Sequence, residues 1–279
     1  MTDRRPQFGY FPAPEAGAPT ALLDTAKRLD ELGFDLIGIQ DHPYQSRFLD
    51  TWTLLSAIAA VTEKITVFPD VACLPLRPPA VLAKSAATLD LLSGGRVELG
   101  LGAGIFWDAI EAMGGPRRSP GESVEALREA VTIVRGMWSG KRSITHEGEY
   151  YSVKGLHPGP APVHDIGIWL GAYKPRMLRT VGELGDGWIP SLGYIDDDGL
   201  AAANDLIDAG AEKANRDPGS IRRILNVGDI SGLDDKVEFF VRYAREFRID
   251  GFLIDCPAIH SELSGFAQNT IPRVRDALG

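Results

Sequence analysis

The sequence predicts an α/β protein folded as a (β/α)₈ barrel. Short apolar runs of β-forming residues alternate eight times with longer amphipathic segments, which indicates parallel strands with helices outside them. The chain has 279 residues, and α/β barrels commonly fill about 250 residues as one unit. Eight strand–helix pairs suit a closed barrel, which leaves no open sheet edge. We expect one domain over residues 1–279, with a doubly wound open sheet as the alternative, because the same alternation serves both.

The apolar runs define the expected strands, and the amphipathic segments define the expected helices. The strands are Gln7–Phe11, Leu36–Gln40, Ile65–Pro69, Val97–Leu101, Ile166–Gly171, Gly187–Pro190, Ile224–Gly228 and Gly251–Asp255. The helices are Thr20–Leu32, Asp50–Val61, Pro79–Leu92, Gly121–Trp138, Pro175–Leu184, Asp198–Asn215, Asp234–Phe247 and Leu263–Leu278. Glycines at Gly33 and at Gly94-Gly95 follow the first and third helices, as is typical of helix ends.

The longest irregular stretch runs from about Ser139 to Asp165. Its proline-rich part, Gly155–Pro162, predicts an extended connection across the surface, and Ser143–Val153 predicts a small hairpin within it. A connection this long either covers an active site or serves as a spacer, and both interpretations stay open at this point.

Composition and charge argue against several classes of function. The formal net charge is −9, and the lysines and arginines are scattered, so nucleic-acid binding is not expected. No stretch of eighteen apolar residues occurs, and Met1–Phe11 lacks the apolar run of a signal peptide, so we expect a cytoplasmic protein without a membrane partner. Cys73 and Cys256 lie far apart in apolar contexts, which favours small buried side chains in a reducing compartment.

Motifs of other enzyme classes are missing from the sequence. It contains no HExxH run, no close Cys/His cluster, no G-x-S-x-G elbow and no Walker A loop, so metal, hydrolase and kinase chemistry lack support. The five histidines are His42, His146, His157, His164 and His260.

Asp41 and His42 directly follow the second strand. Catalytic groups of a barrel lie where strands end at the C-terminal face, so His42 is expected at the barrel mouth, with Asp41 in the cofactor site beside it. The imidazole is the side chain that ordinarily titrates near neutrality, so His42 can donate or accept a proton beside a redox ring. A structural histidine that caps the strand end is the alternative.

Two glycine-containing turns follow the fourth and fifth strands. Gly102, Ala103 and Gly104 allow close approach of a ligand to the backbone, although the dinucleotide pattern G-x-G-x-x-G is not met and a simple tight turn is the alternative. Pro175 suits the first position of a helix whose free amides would receive a phosphate, with Lys174 or Arg176 adding charge; an ordinary strand-to-helix turn is the alternative. The full segment is Gly171, Ala172, Tyr173, Lys174, Pro175 and Arg176.

The third strand ends in Pro69, Asp70 and Val71, inside an apolar run that continues to Leu76. Proline cannot donate to a central ladder, so a bulge is expected there. Bulges at barrel rims often direct the backbone toward a ligand.

Three segments of the chain resemble the bacterial luciferase-like monooxygenase family. They are Gly33–His42, Leu82–Gly104 with its Ser93-Gly94-Gly95-Arg96 run, and Gly182–Pro190 with Asp186-Gly187-Trp188. The resemblance extends from about residue 20 to residue 190 and fades to a similarity of fold beyond it. The segment Arg176–Arg179, taken with Gly182-Glu183, is most similar to the deazaflavin-dependent branch.

The resemblance implies a luciferase-like barrel that binds FMN, or its deazaflavin relative coenzyme F420, with the ring in the barrel mouth. His42 then falls on the active-site histidine, and Pro69–Val71 falls on a bulge, often a non-prolyl cis peptide, that supports the ring from behind. Gly102–Gly104 and Gly171–Arg176 fall on the backbone around the phosphate-bearing tail of the cofactor.

One departure from the family limits the inference about substrate. A sugar-phosphate branch of the deazaflavin enzymes carries a glutamate after the second glycine turn, where this chain has Ile105-Phe106-Trp107. The acid–base partner of His42 is therefore unassigned, and a sugar phosphate becomes doubtful as the substrate. Phe106 and Trp107 suggest an apolar wall, with aromatic packing on a helix as the alternative, and Glu111 further along is interpreted as structural.

The leading hypothesis is hydride transfer between coenzyme F420 and a small organic substrate. The second is an FMN-dependent monooxygenase that uses molecular oxygen and reduced flavin from a partner reductase. The third is a flavin-binding protein without turnover. Family members are often dimers, and the resemblance leaves a homodimer open.

Overall fold

Eight parallel strand regions form a closed barrel in a computed structural model of the chain. The structure describes residues 5–255 and 259–279, without the side chains of residues 259–261. The strands are β1 (Gln7–Tyr10), β2 (Leu36–Ile39), β3 (Thr66–Pro69), β4 (Ala72–Cys73), β5 (Leu99–Gly102), β6 (Ile144–Glu147), β7 (Ser152–Leu156), β8 (Ile168–Leu170), β9 (Gly187–Trp188), β10 (Arg222–Asp229) and β11 (Gly251–Asp255).

The hydrogen-bonded order of the strands closes on itself. It runs β3, β2, β1, β11, β10, β9, β8 and β5, and a parallel bridge between Val67 and Val97 joins the two ends. β4 continues the third strand beyond a bulge and pairs with β5. The predicted barrel is confirmed, and the doubly wound open sheet is wrong for this chain.

Ten α-helices lie within the described residues. They are α1 (Pro19–Leu32), α2 (Thr51–Val61), α3 (Pro79–Ser93), α4 (Trp107–Ala112), α5 (Pro120–Trp138), α6 (Pro175–Leu184), α7 (Asp197–Lys213), α8 (Lys236–Glu246), α9 (Ile259–Gly265) and α10 (Ile271–Leu278). The eight predicted helical regions are confirmed, with shifted ends, and a π-helical turn at Phe266–Thr270 interrupts the last of them. The six-residue helix α4 was not predicted, because it is too short to show a helical period.

The side chains of each strand point alternately to the two faces of the sheet, and they form two separate apolar clusters. One alternate set, with members such as Ile37 and Val67, packs outward against the helices. The other set fills the barrel interior, and we call it the interior plug. Its members are Leu36, Phe68, Trp169, Ile189, Ile224 and Leu253. The barrel is therefore a packed core whose open space lies at its ends.

The long irregular stretch forms the predicted hairpin and then runs outside the barrel. β6 and β7 pair antiparallel, and the Glu129 carboxylate of α5 accepts the backbone N–H groups of the hairpin turn, including that of Tyr151 at 2.8 Å. Beyond the hairpin, Lys84 of α3 donates to the Gly159 carbonyl at 3.3 Å, and Asp90 of α3 accepts the Val163 amide at 2.8 Å. Because of these contacts the proline-rich part runs along α3. This position favours the interpretation as a spacer over the interpretation as a segment that covers the active site.

The described residues include one of the two cysteines. Cys73 is a free, buried cysteine, as expected, whereas Cys256 lies outside the described residues. In the part of the chain that the structure covers, no helix is both long and apolar enough to cross a bilayer. The same part holds no group of three or more His, Cys, Asp or Glu side chains placed to bind a metal ion.

Candidate active site

His42 lies at the barrel mouth, in the loop that follows β2. Its Nδ1 is 2.6 Å from the Tyr44 hydroxyl, and the Phe106 ring meets the imidazole edge-on with 5.5 Å between ring centres. Burial lowers the pKa of His42, and the nearby Asp41 charge opposes this only in part. Burial also raises the pKa of the Tyr44 phenol. The pair is therefore a neutral imidazole held by a neutral phenol, which leaves Nε2 to exchange a proton with a ligand.

Asp41 holds the loop that carries His42. Its buried carboxylate accepts the Cys73 amide at 2.8 Å and receives two hydrogen bonds from Arg77, at 2.6 and 2.7 Å. Arg77 also donates to Asp50 at the start of α2, at 2.7 Å. Both oxygens of Asp41 are thus engaged by protein groups. The sequence placed Asp41 among the cofactor contacts, and this stays a prediction; its observed contacts connect the His42 loop to Cys73 and Arg77.

The bulge expected at Pro69, Asp70 and Val71 is present. β3 ends at Pro69, the Asp70–Val71 peptide bond is cis, and β4 begins at Ala72. The Asp70 amide still bonds to the Ile39 carbonyl at 2.8 Å, so the bulge stays attached to β2, next to the His42 loop.

Glycines of the next strands allow the bulge to approach. A Cβ at Gly100 would overlap the Pro69 carbonyl oxygen, and one at Gly102 would lie 2.6 Å from Val71 Cγ2. A Cβ at Gly171 would lie 3.3 Å from the same methyl group. Val71 therefore covers β5 and β8, and the glycine run after the fourth strand has a packing role that the sequence did not indicate.

Replacing Gly100 by alanine should disrupt this packing. The overlapping partner is backbone rather than a flexible side chain, so Pro69 must shift, and we expect a destabilisation of about 1–3 kcal/mol. Chemical denaturation of purified Gly100→Ala against wild type would measure it. Gly232→Ala is the matched control, because a Cβ added there would meet no atom of the described residues within 4 Å. Equal stability of the two variants would contradict the packing role of the glycine run.

Gly104 and Ala103 continue from β5 into the wall of the mouth. Gly104 has φ +95°, and a Cβ there would lie 2.7 Å from Pro75 and 2.9 Å from the Trp107 ring. The next residues, Ile105 and Phe106, have 68% and 49% of their surface exposed, and Phe106 lies against His42. Phe106 thus provides the apolar wall that the sequence suggested.

Trp107 and Glu111 belong to the support of that wall. The Trp107 ring packs beside Gly104 at the start of α4. Glu111 pairs with Arg117 at 2.5 Å, and Arg117 also pairs with Asp108. The structural role expected for Glu111 agrees with this pairing.

The segment after β8 borders a cavity between the first turns of α6 and α7. Tyr173, Lys174 and Pro175 line a cavity of about 640 Å³, together with Tyr194 and Asp196 from the loop before α7. Lys174 precedes the first turn of α6, and no side chain among the described residues caps that turn. The first amides of α6 and the Lys174 ammonium are thus placed to receive an anion.

Arg176 is directed differently from Lys174. Its guanidinium pairs with Glu125 of α5, and Arg176 does not line the cavity. Gly171 and Ala172 lie between the cavity and the bulge, and the Gly171 amide bonds to the Leu101 carbonyl at 3.2 Å. Of the two cations that the sequence proposed for a phosphate, Lys174 is the better placed.

Sequence reasoning missed Tyr44, Arg77, Ser191 and Asn226. Asn226 donates to the Ser191 hydroxyl at 3.1 Å, and the Ser191 amide donates to the Tyr173 hydroxyl at 3.0 Å. Asn226 did carry a signal, since it is a polar residue within the apolar run of β10. Tyr44 stands two residues after His42, but only the folded loop shows that their side chains meet.

The chain is similar to known proteins over most of its length. The sequence profile of the luciferase-like monooxygenase family matches residues 7–250, further toward the C-terminus than the resemblance suggested. An F420-dependent glucose-6-phosphate dehydrogenase from Intrasporangium calvum is 32% identical over 236 residues, which cover 79% of this chain and 68% of that protein. A 5,10-methylenetetrahydromethanopterin reductase from Archaeoglobus fulgidus is 31% identical over 255 residues, covering 90% and 72%.

A solved structure shares the fold over nearly the whole chain. It is an F420-dependent secondary alcohol dehydrogenase in complex with an F420–acetone adduct, with a TM-score of 0.84 at 20% identity. The alignment covers 98% of this chain and 100% of that one. This likeness supports the assignment of the fold.

Proposed function

The chain belongs to the luciferase-like monooxygenase family, and from this premise we propose that it transfers hydride between coenzyme F420 and a small organic substrate. The observation that carries the proposal is the shared position of two features at one end of the barrel. A neutral, hydrogen-bonded His42 lies on one side of the bulge, and an anion-receptive cavity at Lys174 lies on the other. The names of the two sequence relatives, an F420-dependent dehydrogenase and a reductase, support the choice of reaction.

The residues present fit a ring with an anionic tail. Val71 and the cis peptide before it form a raised floor, and the uncapped amides of α6 with Lys174 suit the tail phosphate. Two buried oxygens at this end, Asp70 Oδ2 and Asn226 Oδ1, have no hydrogen-bond partner within the described residues, as is expected where a ligand completes the site. We assign Gly102–Gly104 and Gly171–Pro175 to the surrounding backbone and side chains, and Arg176 to a contact with α5.

The protein's own residues then manage the proton and exclude water. When bound, F420 accepts or donates the hydride at its deazaflavin ring. With its ring proton on Nδ1 and donated to the Tyr44 oxygen, neutral His42 takes the hydroxyl proton of an alcohol substrate at Nε2 or returns it to a carbonyl. Phe106, which lies against the imidazole, limits the access of water to the proton-transfer site.

We propose that the substrate has an apolar body and no phosphate. Ile105 and Phe106 present exposed apolar surface beside His42, at the place where the sugar-phosphate branch has a glutamate. Two arginines beside this part of the site are already paired, Arg77 with Asp41 and Arg117 with Asp108 of α4. The guanidinium groups of these two arginines are therefore not available to a substrate phosphate. An alcohol or a ketone has no phosphate and needs no such cation.

Titration of the purified protein with F420 and with FMN tests the cofactor. We expect F420 to bind with quenching of its fluorescence, and Lys174→Ala to weaken binding about tenfold, or ~1.4 kcal/mol, because it removes a charge from the tail site. Arg176→Ala is the matched control and should leave the affinity unchanged, since its guanidinium pairs with Glu125.

The same titration separates the alternatives. Tight binding of FMN without F420, followed by oxygen consumption with reduced flavin, would support the monooxygenase with its partner reductase. Binding of F420 without reduction by any alcohol would support a flavin-binding protein without turnover. Bound F420 should instead be reduced faster by a secondary alcohol than by glucose 6-phosphate.

A further inference from the structure

The barrel interior changes from apolar to polar at the mouth. Side chains two residues apart on a strand point to the same side. The residue two positions after each interior-plug residue therefore also points into the barrel. Phe68 is followed by Asp70, Ile189 by Ser191, and Ile224 by Asn226. These three polar residues form a layer directly above the plug, at the end of the barrel where His42 lies. Asp255 occupies the equivalent position after Leu253 on β11.

Asp70 is the buried acid of this layer. The residue is only 8% exposed, its Oδ2 has no hydrogen-bond partner in the described part of the chain, and the side chain that faces the carboxyl is the Asn226 amide. The neighbouring β2 residue is Gly38, at which a Cβ would lie 3.1 Å from Oδ2. Burial raises the pKa of Asp70 to about 7, although the Asn226 amide opposes the shift. No lysine or arginine of the described residues compensates the charge, which disfavours the carboxylate in this position.

Asn226 carries the second unsatisfied oxygen. It is 7% exposed, one N–H of its Nδ2 donates to the Ser191 hydroxyl at 3.1 Å, and its Oδ1 has no partner within residues 5–255 and 259–279. Two buried acceptor oxygens cannot satisfy each other, but a single proton on Asp70 provides the missing donor. From Ser191 the hydrogen bonds continue to Tyr173, which lines the cavity at Lys174.

We propose that Asp70 is a protonated, neutral carboxylic acid that donates a hydrogen bond to an acceptor atom of the ring bound on the bulge. Without a ligand, the proton is shared with the Asn226 amide. The donation to the ring rests on the proposed function; the protonation of Asp70 does not. Asp70 is thereby the second proton-bearing group of the site and lies at the end of the strand next to the His42 loop. The segment Ile105–Trp107, where the sugar-phosphate branch has a glutamate, contains no acid.

Infrared spectroscopy of the ligand-free protein tests the protonation directly. At pH 6 we expect the C=O stretching band of a protonated carboxylic acid, which Asp70→Asn lacks and which fades as the pH rises through about 7. Asp108→Asn is the matched control, because the side chain of Asp108 is 97% exposed and pairs with Arg117. Absence of the band from wild type, or its survival in Asp70→Asn, would overturn the proposal whatever the cofactor is.

Fluorescence titration with F420 between about pH 6 and pH 8.5 tests the donation. Above about pH 7 the protonated fraction falls tenfold per pH unit, so wild-type affinity should fall in the same proportion. Asparagine keeps an N–H donor but does not titrate, so the F420 affinity of Asp70→Asn should show only the pH dependence of the ligand itself. Asp70→Ala has no donor and should bind F420 weakly at every pH.

Other titrating groups around the polar layer do not mimic this profile. The pKa of His42 is lowered and that of Tyr173 is raised, both by burial, so neither changes charge near about pH 7.5. Asp255 is unchanged in Asp70→Asn, so its contribution cancels in the comparison. Identical pH profiles for wild type and Asp70→Asn would refute the donation, whereas failure of every variant to bind F420 at any pH would instead contradict the proposed function.

Discussion

His42→Ala should lower kcat/KM for the alcohol substrate by about 10²–10⁴-fold, the contribution typical of a positioned general acid or base. F420 affinity should stay near that of wild type, because the floor and the tail site do not use the imidazole. The measurement is steady-state F420 reduction together with fluorescence titration of the same preparation. Unchanged turnover with F420 bound would remove His42 from the mechanism.

Tyr44→Phe is the control for the role of His42. The phenol positions the imidazole at 2.6 Å but is not placed to exchange the substrate proton, so its loss should cost far less than the loss of His42. The pH profile gives a second check. Because burial lowers the pKa of His42, the neutral base persists on acidification, and the acid limb of kcat/KM should lie below the ordinary histidine value of about 6.5.

Arg77→Met should destabilise the protein by about 3–5 kcal/mol, because it leaves the buried Asp41 carboxylate without its partner. Asp41 would keep only the Cys73 amide as a hydrogen-bond donor among the contacts described above. For a chain of this size the loss corresponds to a fall in Tm of roughly 5–15 °C. Thermal unfolding followed by circular dichroism measures it.

Arg117→Met is the matched control for this prediction. Arg117 also pairs with two carboxylates, those of Asp108 and Glu111, but its side chain is half exposed. Exposed ion pairs contribute little to stability because water and salt screen them, so Tm should barely change. A similar fall in Tm in both variants would show that burial does not determine how much the Asp41–Arg77 pair contributes to stability.

The sequence predicted the elements of the barrel better than the contacts of its mouth. Strand and helix positions follow from local apolar periodicity, which each segment carries by itself. The bulge at Pro69–Val71 was also predictable, since proline cannot continue a central strand. The ends of strands were less predictable: only Gly187–Trp188 of the run to Pro190 pairs as β9.

Residue type and chain position placed His42 at the mouth, but they did not assign the groups around it. Asp41 and Arg176 looked equally suited to a ligand, and only the fold shows their charges engaged by Arg77 and Glu125. The partners of a charged side chain come from segments distant along the chain, so spacing cannot identify them.

By itself, the sequence determined the alternation of eight strands with helices, the position of His42 after the second strand and the family resemblance, because periodicity and strand ends are local properties. The closure of the sheet into a barrel, rather than a doubly wound open sheet, was decided by the tertiary structure. Only the tertiary structure decided that Val71 packs over three glycines and that Asp70 faces Asn226 without a counter-charge among the described residues. The physical reason is that burial and pairing depend on strands meeting across a closed barrel, and these set the charge of a carboxyl more strongly than its neighbours in sequence do.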